Sequence, residues 1–172
     1  MMTTTLYEKQ EAPVLNSRAG KFLTFCLGKE EFAVRVMNVR EIIGIQDITT
    51  VPQTPVCVKG VINLRGKVIP VVDLRLKFGL PEQEHSERTC IIVIQVDSDT
   101  GPPLNTGIIV DEVSEVLNLT GSEIEATPDF GDKMPNPHLL GLAKVKDKVK
   151  ILLDIGQVLT DPELTSMQSI LQ

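Results

Sequence analysis

Gly60 to Phe78, GVINLRGKVIPVVDLRLKF, decides the fold. Two apolar runs, Val61–Leu64 and Val68–Val72, flank the charged turn Arg65-Gly66-Lys67. Both runs are rich in Val and Ile, and Gly66 can take the left-handed backbone that a tight turn needs. The stretch therefore predicts a β-hairpin. Arg65 then stands at the tip, in solvent, on a stiff support. Asp73 is placed to cap a short helix in which Leu74 and Phe78 form an apolar pair one turn apart.

The stretch occurs twice. Gly141 to Leu159, GLAKVKDKVKILLDIGQVL, aligns with it without a gap. Gly60 falls on Gly141, Lys67 on Lys148, Val68 on Val149 and Asp73 on Asp154, and the turn becomes Lys146-Asp147. A second match lies upstream of each copy: Val36, Val39, Glu41 and Ile42 fall on Val110, Val113, Glu115 and Val116. Two matches in the same order imply a tandem duplication, with about residues 21–80 as one unit and 89–160 as the other.

Working outward, residues 1–20 have no period and read as a mobile tail. Phe22–Leu27 and Glu31–Val34 are expected to pair as strands across Gly28-Lys29-Glu30. Val36, Val39, Ile42 and Ile43 are spaced as one helical face, so a short helix is expected to begin near Val36 and end at Gly44. Val113, Val116 and Leu117 predict the same short helix in the second unit. Val56–Lys59 is expected to be one helical turn, and Pro81–Arg88 a polar linker. Thr89–Val96 and Gly107–Val110 read as strands, Asp97–Asn105 and Pro128–Pro137 as loops. Thr160-Asp161-Pro162-Glu163 carries helix-start chemistry, and Leu164, Met167, Ile170 and Leu171 give residues 161–172 one apolar face. About five short strands per unit close best as a small barrel, because closure removes exposed edges.

The chain has 172 residues, is 42% hydrophobic and carries a net charge of −6. That balance suits a packed core and argues against a binder of phosphate backbones. No Trp and one Tyr leave little for stacking on bases or sugars. No secretory signal opens the chain, and no apolar run reaches the length of a membrane span. Cys26, Cys57 and Cys90 are odd in number and widely spaced; Cys26 and Cys90 sit in strand-like runs, so buried, reduced thiols in a cytoplasmic protein are expected.

Little in the chain suits catalysis. His85 sits among Glu82, Glu84 and Glu87 in the linker, and His138 follows a proline in a loop. Phosphate-binding glycine loops, nucleophile elbows and Cys-x-x-Cys pairs are absent from the sequence. Asp111, Glu112 and Glu115 raise the question of a divalent metal, but they share a segment with Val113, Val116 and Leu117 and read as its wet face. Arg65 has two readings: a solubilising turn residue, or a preorganised guanidinium for a partner's carboxylate or carbonyls. Glu41 and Glu115 likewise read as solvated faces or as the border of a groove.

Val58 to Arg75, VKGVINLRGKVIPVVDLR, and Val110 to Leu117, VDEVSEVL, together resemble the CheW family of bacterial chemotaxis coupling proteins, over about residues 20–160. The resemblance implies an all-β adaptor of two intertwined five-stranded barrels of SH3 or OB type, with short helices and exchange of strands between the units. It implies no catalytic activity, no cofactor and no metal. The implied partners are the cytoplasmic tip of methyl-accepting chemotaxis receptors and the regulatory domain of the histidine kinase CheA, with no nucleic acid and no membrane insertion. The expected location is the cytoplasm, at membrane receptor arrays. Carried onto this chain, the receptor groove comprises Val39, Glu41, Arg65 and Val116; the family motif assigns no kinase-contact residue. Lys67 stands where the family pattern is loose, and Asp97–Asn105 is expected to decorate the second barrel. A chain running from Met1 to Gln172 is expected to be free-standing. The alternatives are a CheW-like regulatory module of another two-component pathway, and a barrel-fold ligand binder or enzyme. A pull-down with receptor tip and kinase, set against a general hydrolase screen, separates them.

Overall fold

The computed structural model describes residues 19–98, 101–126 and 138–159. The expected C-terminal helix, the loop Pro128–Pro137 and the tail up to residue 18 lie outside them. The first half holds strands β1 (Gly20–Leu27), β2 (Glu30–Arg35), β3 (Val39–Gly44), β4 (Val58–Leu64) and β5 (Lys67–Asp73), then helix α1 (Leu74–Lys77). The second holds β6 (Cys90–Ser98), β7 (Gly101–Val110), β8 (Glu112–Leu119), β9 (Ile124–Glu125), β10 (Leu139–Val145) and β11 (Lys148–Leu153), then helix α2 (Ile155–Leu159).

The decisive hairpin is β4 with β5, antiparallel, with Leu64 opposite Lys67. Both turn residues are left-handed, Arg65 at φ 51° and Gly66 at φ 89°. That is the twist a two-residue hairpin favours. The Asn63 side chain fixes it by accepting from the Gly66 N–H at 2.8 Å. Lys146 and Asp147 repeat the geometry between β10 and β11, at φ 52° and 64°. Asp73 caps α1 by accepting from the Arg75 N–H at 2.9 Å.

Each sheet takes strands from both halves of the chain. The order is β8-β1-β2-β11-β10-β9 in one and β3-β6-β7-β5-β4 in the other. Substituting each strand by its duplicate turns one order into the other, and the isolated bridge Thr49–Val61 takes the place of the β9–β10 pairing. Parallel contacts join the halves in both sheets: β11 on β2 and β5 on β7. Gly60 and Gly141 are constrained alike. A Cβ on Gly60 would lie 2.1 Å from the Thr49 carbonyl oxygen, and one on Gly141 2.5 Å from that of Glu125.

Among the described residues, three apolar clusters form the core. The largest lies between the sheets, where Leu23, Phe25, Phe32 and Val34 meet Val72, Ile92, Ile94, Ile108 and Val110. Each sheet also curls around its own cluster, one built on Phe22, Leu119 and Leu152, the other on Ile62, Ile69, Ile91 and Val93. In the second, Ile43 from edge strand β3 and Leu64 from edge strand β4 pack on the same core. The fold is therefore all-β, with two curled sheets and a shared core, consistent with two small intertwined barrels.

Four local expectations are corrected. Both short helices are strands. Within these two segments 3-10 geometry is confined to Val36–Asn38, and β3 and β8 follow the crossovers between sheets. Their side chains alternate: Val39, Glu41 and Ile43 turn inward while Arg40 and Ile42 face out. An acidic residue on the inner face and an apolar one on the outer hid the period of two, leaving a spacing that imitates a helix. Val56 and Cys57 make a turn rather than a helical one, with β4 starting at Val58. Asp97–Asn105 is mostly strand, with Val96 opposite Leu104 and Ser98 opposite Gly101. Its prolines are tolerated because β5 pairs with β7 only from Gly107 onward, so Pro102 and Pro103 owe no N–H on that side. Finally, Cys57 is buried, but Cys26 and Cys90 are half-buried; all three are thiols.

Candidate docking site

Arg65 projects from a rigid turn and keeps 71% of its side chain exposed, yet it is not a lone cation. Its Nη2 donates to Glu41 Oε1. The pair links β3 to the β4–β5 turn, the two edges of one sheet, and so ties the barrel closed at its rim. Two of the four sequence-derived residues are thus in contact. Val39 shares strand and face with Glu41 and packs on the large central cluster. Val116 lies on the other sheet, on edge strand β8, opposite Leu23 and facing out.

The reading missed Ile42, which is 45% exposed on the outer face of β3 beside Glu41. It is the duplicate of Val116, itself 57% exposed. The signal was available, since the internal alignment sets Ile42 on Val116. Val68 and Val149, a second duplicated pair, are also exposed on the outward faces of the two hairpins. Single exposed apolar residues are ordinary, but the same positions exposed in both halves mark a surface feature of the repeated unit.

The acidic segment after β7 has an assigned chemistry. Asp111 accepts from Arg75 Nε at 2.7 Å and Nη2 at 2.6 Å, and from the Gly28 N–H at 2.7 Å. Burial alone would raise its carboxyl; the Arg75 hydrogen bonds, the Gly28 N–H and the guanidinium charge outweigh that and hold it below the ordinary carboxylate range. Glu112 lies 3.5 Å from Arg88, and the Glu115 backbone exchanges two hydrogen bonds with Thr24 Oγ1 at 2.9 Å each. Lys150, buried inside the sheet, pairs with Glu31. Burial, with the Glu112 charge second, pushes the Cys26 thiol up; burial raises Cys90 as well, offset in part by a Val113 N–H on its sulfur. Raised thiols are poor nucleophiles. The side chains described offer charge-assisted hydrogen bonds and apolar patches, the chemistry of recognition.

Comparison with known proteins agrees with this architecture. The family model described as the CheW-like domain matches residues 21–163. A chemotaxis protein CheW of Klebsiella aerogenes is 35% identical over 150 residues, 87% of each chain. One of Bacillus subtilis is 34% identical, covering 81% of this chain and 86% of that one. The crystal structure of the scaffolding protein TtCheW from Thermoanaerobacter tengcongensis superposes with a TM-score of 0.72 at 31% identity, covering 83% of this chain and 94% of that chain. The class defined by the two interleaved sheets is thus the chemotaxis scaffold fold. This chain belongs to the CheW-like family.

Proposed function

We propose that the protein is a non-enzymatic chemotaxis adaptor. It couples the cytoplasmic tips of methyl-accepting receptors to the regulatory domain of the histidine kinase CheA, in the cytoplasm, at membrane receptor arrays. Membership of the family across residues 21–163 carries this reading. Two further observations support it. Described side chains with assigned partners are engaged structurally, Asp111 by Arg75 and Lys150 by Glu31. Among the described residues, no helix is long and apolar enough to cross a membrane.

Within this reading, about residues 21–80 and 89–160 are copies of one unit, and the receptor hairpin lies in a groove bordered by Val39, Glu41, Arg65 and Val116. The Glu41–Arg65 pair supports that assignment, because it presents an exposed guanidinium whose geometry suits carbonyls or carboxylates. Ile42 joins the groove as apolar contact. The test is titration of the protein with a soluble receptor-tip hairpin and, separately, with the kinase regulatory domain. Binding of both is expected; binding of neither refutes the adaptor reading.

A further inference from the structure

The chain crosses between the sheets at two equivalent places, after β2 at Val36–Asn38 and after β7 at Asp111. Internal alignment sets Met37 on Asp111 and Gly156 on Arg75. The two crossovers are nevertheless built differently. At the first, Met37 is 79% exposed. A methionine and a glycine cannot make an ion pair.

At the second, four segments meet on one guanidinium–carboxylate pair. Arg75 comes from α1, next to β5 of the second sheet. Asp111 is the crossover residue. The Gly28 N–H comes from the β1–β2 turn of the first sheet. The linker joins through Pro81, whose carbonyl accepts from Arg75 Nη1 at 3.1 Å, and through Gln83. The Asp111 N–H also donates to the Cys26 carbonyl at 3.1 Å. Only 12% of the Arg75 side chain is exposed. Two parallel N–H···O bonds fix both the distance and the angle between the groups, which one point contact would not do.

We propose that Arg75 and Asp111 form a latch that sets the angle between the two sheets on one side of the molecule. They are thereby positioning residues for the docking groove. At the opposite crossover Met37 takes the place of Asp111, and Asn38 Nδ2 donates to the Gln95 carbonyl of β6 at 3.2 Å, a neutral hydrogen bond where the second crossover has a bidentate ion pair. The groove part of this proposal rests on the adaptor reading: Glu41 and Arg65 sit on one sheet and Val116 on the other, so their separation depends on that angle. The latch itself does not depend on any partner.

Native cysteines report on it. Cys26 lies opposite Glu112 and Cys90 opposite Val110, so they flank the latch from the two sheets. Cys57 is buried in the central cluster, with its carbonyl accepting from the Asp73 N–H at 2.7 Å, and reports global opening. The experiment is pulsed iodoacetamide labelling of the full chain, read at each cysteine by peptide mass spectrometry. Arg75→Ala is the primary variant because it leaves the Asp111 charge in place beside Cys26. It is expected to speed labelling of Cys26 and Cys90 by roughly tenfold or more, with Cys57 near its original rate. Arg75→Lys, which keeps the charge but loses the fork, is expected to lie between the two and serves if the alanine variant does not fold. Unchanged rates at Cys26 and Cys90, or all three cysteines rising together, overturn the latch. Receptor-tip hairpin affinity is measured on the same samples and is expected to fall several-fold. Faster labelling with unchanged affinity overturns the positioning role. A parent protein that binds no receptor tip refutes the groove reading but leaves the labelling test intact.

Discussion

Arg65 and Lys146 occupy equivalent turns with the same left-handed backbone, so they separate what a basic tip residue does from what the turn does. The Arg65–Glu41 pair is largely exposed, and exposed pairs stabilise by about 0–1 kcal/mol. Arg65→Ala should therefore leave the melting temperature almost unchanged. If the guanidinium binds the receptor, its charge-assisted hydrogen bonds are worth about 1.5–3 kcal/mol, or roughly tenfold to more than a hundredfold in affinity. Titration calorimetry should show that loss for Arg65→Ala, a smaller one for Glu41→Ala and none for Lys146→Ala. Equal affinities for all three would return Arg65 to a solubilising role. The exposed tip was legible in sequence, since a hairpin with a charged turn leaves it nowhere else to go. Its pairing with Glu41 was not, because that contact joins residues from opposite edges of a curled sheet. Asp111 was misjudged for a related reason: its partner Arg75 lies 36 positions away. That pair has a pH signature. The folded carboxyl titrates below its unfolded value of about 3.9, so its contribution is complete above that pH and disappears as pH falls toward the folded value. Urea midpoints should show Asp111→Asn costing roughly 2 kcal/mol near neutrality and progressively less as pH drops below about 4.

At the scale of elements, the hairpins and the Asp73 cap were readable because each rests on local chemistry. Strands β3 and β8 were not. Their inner faces carry Glu41 and Glu115 and their outer faces Ile42 and Val116, the reverse of ordinary patterning. That reversal falls on the residues assigned to docking, which is where local rules are expected to fail. The repeated close approach at Gly60 and Gly141 gives a separate test of the duplication. In both, a side chain would collide with a backbone carbonyl, that of Thr49 in its bridge to Val61 and that of Glu125 in β9 beside β10. Gly60→Ala and Gly141→Ala should each cost about 2–4 kcal/mol by denaturant unfolding. Gly66→Ala, with nothing within 4 Å of the new Cβ, should cost only the left-handed backbone penalty of about 1–2 kcal/mol. A mild effect at either Gly60 or Gly141 would mean that the two edges are not built alike.

Across the whole molecule, exchange of strands makes the two barrels inseparable, since each sheet loses strands if either half of the chain is removed. The internal repeat was visible in sequence, but which of two matching strands joins which sheet was not, because matching strands present similar patterns to either sheet. A single cooperative unit of this kind can carry separate surfaces at a fixed separation, the property an adaptor needs. The most direct test is sedimentation of a mixture of the protein, a soluble receptor-tip hairpin and the kinase regulatory domain. The proposed function requires one complex containing all three, dependent on the protein, with Arg65→Ala losing the receptor hairpin while retaining the kinase domain. Mutually exclusive binding, in which the kinase domain displaces the receptor hairpin, would contradict it.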